Sequence, residues 1–184
     1  MKHKTYTWDD VEKAGHKICL QMYNDNWRPD YVVGITRGGL PLALVISHML
    51  NCRMETLKVK LRDAKDDESC ESNCWMAEDA FGYVYQEDRD KVWGNAFSDP
   101  NKKKNILVVD DINDTGATFA WIKKDWQGGC LPDNPNWDTV WGQNVRFAVM
   151  TENLSSDFGE VKYAYDEVNK AEDDVWLIYP WEND

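Results

Sequence analysis

One stretch of the chain gathers the residue types that chemistry needs. Ile106-Leu107-Val108-Val109-Asp110-Asp111-Ile112-Asn113-Asp114-Thr115-Gly116-Ala117-Thr118 runs from four apolar residues into two adjacent carboxylates, then into a small, hydroxyl-rich turn that opens a helix. In open α/β sheets, ligands bind at the carboxyl ends of strands, where such a turn lies. Free N–H groups at a helix start attract an anion, and Thr115 and Thr118 add hydroxyl donors. Gly116 lets the backbone come close to a phosphate. Two carboxylates beside a phosphate would repel it unless they serve sugar hydroxyls or a magnesium ion. The residue types point to a phosphorylated sugar bound with Mg2+.

A second stretch, Gly34-Ile35-Thr36-Arg37-Gly38-Gly39-Leu40, places a cation and two glycines where an apolar run ends and a helix begins. Exposed N–H groups at Gly38 and Gly39 and the forked, permanently charged donor of Arg37 suit a pyrophosphate group. The pattern is neither a P-loop nor a dinucleotide fingerprint. Arg-Gly-Gly also has a purely structural reading in a tight turn, and its position ahead of the first stretch gives it meaning.

The elements that must hold these residues read as strand and helix in alternation. Thr7 caps a helix carrying Trp8, Val11, Gly15, Ile18 and Met22 on one apolar stripe. Tyr31–Thr36 is a buried strand, Leu40–Leu50 a helix that is apolar nearly all round, and residues 54–60 a second strand. Residues 105–110 form the strand ahead of the paired acids. A helix follows over 117–126, with Ala117, Ala120 and Trp121 inward, and Gly128-Gly129 stops it. Strands are expected at 145–150, 161–165 and 175–178. The fold class is α/β with a mostly parallel sheet. Residues 63–104 are irregular and acidic, an insertion or a flexible lid within a single domain of residues 1–184.

The 184 residues include 33 acids against 21 bases, a net charge of −12, which argues against nucleic acid as a partner. The acids concentrate in residues 63–90 and 152–184, so the two motif regions are neutral to basic. No apolar run can span a bilayer, and the N-terminal residues lack the apolar stretch of a signal peptide. Five cysteines, an odd number, suggest reduced thiols in a cytoplasmic protein. Cys70 and Cys74, four apart with no histidine near, make a poor zinc pair.

The paired acids with the Asp-Thr-Gly-Ala-Thr continuation resemble the signature of the type I phosphoribosyltransferase family, which uses phosphoribosyl pyrophosphate (PRPP). Tyr6-Thr7-Trp8-Asp9, Thr36-Arg37-Gly38-Gly39-Leu40 and Trp176-Leu177-Ile178-Tyr179-Pro180-Trp181-Glu182 look most like its xanthine-guanine branch. The resemblance implies a type I fold with a small C-terminal hood and a Mg2+-dependent transferase for purine salvage. PRPP and a purine base are the implied partners, and dimer or tetramer is left open. It implies that Asp110 and Asp111 face the ribose hydroxyls and the metal, and that Asp114, Thr115, Gly116, Ala117 and Thr118 cradle the 5′-phosphate. Arg37, Gly38 and Gly39 would form the pyrophosphate loop. Trp176 and Leu177 would hold the base, with a core tryptophan the competing reading for Trp176. Asp114 would exchange a proton with purine N7, which favours 6-oxopurines over adenine.

Two departures stand out. Asn113 replaces an aliphatic residue, and the lysine that 6-oxopurine enzymes carry after the strand at 145–150 is missing, Thr151-Glu152-Asn153 standing there instead. Either Lys162 is recruited or the base differs. The missing lysine also leaves a PRPP-binding sensor without transferase activity as the alternative.

Overall fold

The computed structural model describes residues 2–61, 70–85 and 96–182. β1 (Lys2–Thr5) leads to α1 (Trp8–Asn24), β2 (Tyr31–Thr36), α2 (Leu40–Leu50) and β3 (Arg53–Lys58). α3 (Cys74–Phe81) comes next, then β4 (Ile106–Asn113), α4 (Ala117–Lys124), β5 (Val145–Asn153), β6 (Val161–Val168) and β7 (Val175–Ile178). Five strands form one sheet in the order β3-β2-β4-β5-β6, with every neighbouring pair parallel. β1 and β7 pair in parallel as a separate two-stranded hood. The parallel, helix-flanked α/β reading holds.

Strands covered on both faces have little use for polar residues, which is why β2 and the start of β4 read as unbroken apolar runs. Val32, Leu107 and Val109 face α1 and α2. Val33, Ile35, Ile106 and Val108 face α3 and α4. A reciprocal capping box starts α1: the Asp10 N–H donates to Thr7 Oγ1 at 3.2 Å, and the Thr7 N–H donates to Asp10 Oδ2 at 2.8 Å. Caps of this kind are worth about 1 kcal/mol. From β2 the chain runs outward to β3, then returns to β4 and runs outward on the other side. The carboxyl ends of β2 and β4 therefore flank a topological switch point, where open sheets leave a crevice.

Several expectations are corrected. Trp8 is 58% exposed; the buried stripe of α1 is Val11, Ala14, Gly15, Ile18 and Met22. α4 turns Phe119 and Ile122 inward, while Ala117 and Ala120 are exposed and Trp121 is half-buried. The larger apolar side chains decide which face is buried. Gly128-Gly129 does not end the helix. The chain unwinds slightly into a π-helical turn, Asp125–Cys130, which brings Cys130 to Cys74 of α3, and the two are joined as a disulfide with Cα atoms 5.0 Å apart. Reduced thiols therefore describe Cys19, Cys52 and Cys70 only, and Cys74 is not available to a metal.

Within the irregular region, α3 is a regular helix, and the parts of the expected lid at 62–69 and 86–95 lie outside the described residues. Beyond the π-helical turn comes a 3-10 turn, Pro135–Thr139. It inserts Trp137 between Phe81 and Trp141, at centroid distances of 5.1 and 5.3 Å. Among the described residues no helix is long and apolar enough to cross a membrane.

Candidate functional site

The two motifs meet at the switch point. After β2 the Thr36–Arg37 peptide is cis, and Gly39 packs onto the end of β4. A Cβ at Gly39 would stand 2.9 Å from both Asp110 Cα and Ile35 N, so only glycine lets the loop lie this close. Gly38 rests against the Asp111 carboxylate; a Cβ there would reach 2.5 Å from Asp111 Cγ. Arg37 is exposed, its carbonyl accepts the Leu40 N–H at 3.2 Å, and its side chain makes no hydrogen bond or ion pair among the described residues. Its charge is available to a ligand.

Asp110 and Asp111 stand just beyond the last β2–β4 pair, Gly34 opposite Val109. Asp110 Oδ1 accepts the Asp111 N–H at 2.9 Å, and Asp111 Oδ1 accepts the Ile112 N–H at 2.8 Å. Burial pushes the Asp111 carboxyl above the usual carboxylate range, and the nearby Glu182 charge adds to this, against the lowering effect of its hydrogen bonds. Among the described residues no three His, Cys, Asp or Glu side chains form a metal cage. Two carboxylates alone suit Mg2+, which keeps waters and substrate oxygens in its shell, better than a metal needing an all-protein site.

The turn after β4 opens α4 with Gly116 as its cap, at a φ of 88°. A Cβ at Gly116 would stand 2.7 Å from the Phe158 nitrogen, so both the conformation and the space require glycine. The first N–H groups of α4 lack helical partners by position. They border a cavity of about 310 Å3 lined by Thr115, Gly116, Ala117, Ala120, Asp157 and Phe158. Thr115 is exposed, with its Oγ1 3.4 Å from the Ala117 nitrogen. This wall can take a phosphate.

Asp114 is held from two sides. The Asn153 side-chain amide donates to the Asp114 carbonyl at 2.9 Å and lies 3.4 Å from Oδ1. Lys170, on the loop after β6, places its ammonium 3.0 Å from Asp114 Oδ1. The Lys170 N–H donates to Asn153 Oδ1 at 3.0 Å, so one buried asparagine ties both loops together. Lys162 is not recruited. It is the second residue of β6, at the amino end of the sheet, where it approaches Asp25 at 3.9 Å. The end of β5 carries no cation, and the ammonium at the turn after β4 is that of Lys170. Nothing local in the sequence marks that residue, since Asn169-Lys170-Ala171-Glu172-Asp173-Asp174 reads as a solvated turn.

The hood reaches the same crevice. Trp176 is 58% exposed on β7, opposite His3 of β1. The Leu177 side chain is buried in the core, so it can offer a ligand only its main chain. Two residues further on, the Tyr179 hydroxyl lies 3.3 Å from the Asp111 carbonyl.

With this geometry in place, the likeness to known proteins is consistent. Residues 6–123 match the model of the phosphoribosyl transferase domain. A xanthine-guanine phosphoribosyltransferase of Cereibacter sphaeroides is 24% identical over 183 residues, covering 96% of this chain and 84% of its own. One from Chromohalobacter salexigens is 22% identical over 179 residues, covering 97% and 83%. A purine phosphoribosyltransferase from Pyrococcus horikoshii superposes with a TM-score of 0.60 at 19% identity, over 100% of this chain and 97% of that one. The matched span contains both the Arg37-Gly38-Gly39 loop and the Asp110–Thr118 turn, and the chain belongs to the phosphoribosyl transferase domain family.

Proposed function

We propose that the protein transfers the phosphoribosyl group of PRPP to a 6-oxopurine, forming a nucleoside 5′-monophosphate and pyrophosphate. The observation that carries the base assignment is the Lys170–Asp114 pair. A donor-only ammonium and a carboxylate stand side by side at the turn that borders the phosphate cavity. A 6-oxopurine presents an acceptor at O6 beside N7, and the pair complements that edge. Adenine presents an amino donor there, which an ammonium cannot accept. The related proteins named for xanthine and guanine support the same reading.

In this reading the α4 start and Thr115 hold the 5′-phosphate, and Arg37 with the Gly38 and Gly39 N–H groups holds the pyrophosphate. Asp110 and Asp111 orient the ribose hydroxyls and oppose the positive charge that grows on the ring. Both acids fit Mg2+, which when bound would neutralise the pyrophosphate as it leaves. The base nitrogen N9 bonds to C1′ as the C1′–oxygen bond to pyrophosphate breaks, and Asp114 accepts the proton that the base gives up. Reading Lys170 as a base-facing cation supports the transferase over a sensor without activity.

The test is turnover with PRPP, Mg2+ and each common nucleobase, in wild type and Asp114→Ala. Guanine, hypoxanthine or xanthine should be used well ahead of adenine and uracil. The variant should lose ~10²–10⁴ in kcat, the usual range for a lost general acid–base. Preferred use of adenine would overturn the base assignment.

A further inference from the structure

Three buried hydroxyls link the hood to the carboxylate pair. The Tyr6 hydroxyl donates to Asp166 Oδ2 at 2.9 Å, the Thr151 hydroxyl donates to the Tyr6 oxygen at 3.0 Å, and the Tyr179 hydroxyl lies 3.0 Å from Thr151 Oγ1 and 3.3 Å from the Asp111 carbonyl. Thr151 has no exposed surface, and Tyr6 and Tyr179 are 4% and 3% exposed. Lys4 of β1 closes the far end by pairing with Asp166. The rings hold the hydroxyls in line: Tyr6 and Tyr179 stack at 5.2 Å and 12°, and Tyr179 and Trp181 stack at 5.1 Å and 5°.

Each hydroxyl has a single proton. Tyr6 gives its proton to Asp166, and Thr151 gives its proton to Tyr6. Tyr179 therefore divides one proton between Thr151 and the Asp111 carbonyl. Its main-chain N–H is held separately by Glu182 Oε2 at 3.0 Å. Tyr179 follows directly on β7, the strand of Trp176 and Leu177, and touches the main chain of a residue at the end of β4. Movement of Asp111 when its ligand arrives would be felt at Tyr179, and through it at the hood.

We propose that Tyr179, with Thr151 and Tyr6 behind it, is a positioning residue that couples PRPP occupancy at Asp110 and Asp111 to the register of the base-holding strand β7. The proposal rests on the transferase reading above. It predicts effects that fall on the base rather than on PRPP, because the hydroxyl chain does not touch the phosphate cavity.

Tyr179→Phe keeps the ring stack and removes one hydroxyl, and Thr151→Val keeps the shape. Each should raise KM for the base about two- to tenfold, the equivalent of one net hydrogen bond. PRPP affinity, measured by calorimetry without base, should stay within twofold. The double variant should lose no more than the worse single one, since the two sites act as one chain. A purely structural role would lower the melting temperature and leave the ratio of the two affinities unchanged. Hydrogen exchange at the β7 amides supplies a readout independent of turnover. PRPP should slow it in wild type and not in Tyr179→Phe. If wild type makes no nucleotide from any base, the transferase reading fails, and the exchange result still decides the coupling. Equal PRPP protection of β7 in both proteins, or an equal loss of PRPP and base affinity, overturns it.

Discussion

Lys170→Met isolates the feature on which the base assignment stands. The side chains of Lys170 and Asp114 keep 29% and 23% of their exposure, so as an ion pair they add only ~0.2–1 kcal/mol to stability. For a chain of this length that is at most ~2–4 °C in melting temperature. Methionine preserves the unbranched stem, so packing changes little. The effect on the reaction is expected to be larger. A hydrogen bond from a charged group is worth ~1.5–3 kcal/mol, which corresponds to ~10–150-fold in kcat/KM when one such bond to O6 is lost. The assay is initial rate with saturating PRPP and Mg2+, varying hypoxanthine and, separately, adenine, in wild type, Lys170→Met and Lys170→Arg. Hypoxanthine turnover should fall by that range in the methionine variant and recover in part with arginine, while the low adenine rate stays where it was. Hypoxanthine activity within twofold of wild type, or equal losses on both bases, would show that the ammonium serves Asp114 and not the base.

Asp110→Asn with Asp111→Asn keeps the oxygens that accept the Asp111 and Ile112 N–H groups. The fold should survive by circular dichroism, while turnover falls at least ~10²–10³-fold, as when one preorganised electrostatic partner is removed. PRPP with Mg2+ at about a hundred times its dissociation constant should stabilise the protein by ~2.7 kcal/mol, read as a rise in melting temperature. Thr115→Val should weaken that rise by removing a phosphate donor. Glu152 is pushed above the usual carboxylate range mainly by burial, and its Oε2 has no hydrogen-bond partner among the described residues. A raised folded-state pKa means that wild type loses stability as pH climbs from the unfolded value through the folded one. Glu152→Gln should therefore match wild type near pH 4 and gain on it, by ~1 kcal/mol, toward pH 8; a gap that shrinks as pH rises would contradict the burial argument.

The parts of the fold that read clearly from sequence are those governed by local rules. β2 and the first half of β4 are buried on both faces, so their residues there are apolar without interruption. The turn at Asp110–Thr118 is legible because glycine at a positive φ and paired acids are rare needs with few residue types to meet them. α4 misleads because two small alanines mimic an apolar stripe, whereas area buried favours Phe119 and Ile122. The aromatic layer over 126–141 escapes because Trp126, Trp137 and Trp141 follow no helical or strand period; a π-helical turn and a 3-10 turn bring Trp126 and Trp137 to Trp141, which stacks on Phe147. Lys170 and Asp114 meet only through β5, and no local pattern encodes that meeting.

The two departures from the family pattern are one change. Asn113 is 2% exposed, and its amide donates to Glu152 Oε1 at 3.0 Å and to the Phe158 carbonyl at 2.8 Å, while its Oδ1 accepts from the Ser156 hydroxyl at 3.1 Å. An aliphatic side chain there would remove the side-chain donor from Glu152 Oε1, when Oε2 already lacks a partner among the described residues, and that is costly for a carboxyl with its oxygens buried. An acid at 152 therefore demands a donor at 113, opposite it in the β4–β5 register. The acid also means that the end of β5 offers no cation to a base. Asn153, the next residue, anchors the Lys170 backbone with its Oδ1 and the Asp114 carbonyl with its amide, bringing a cation to the turn from the loop after β6. Glu152→Lys alone would set a cation against the Asn113 side-chain N–H that the carboxylate now accepts. That substitution should be better tolerated together with an aliphatic residue at 113, and thermal unfolding of the single and double variants would show whether the two positions, opposite each other in the β4–β5 register, behave as a unit.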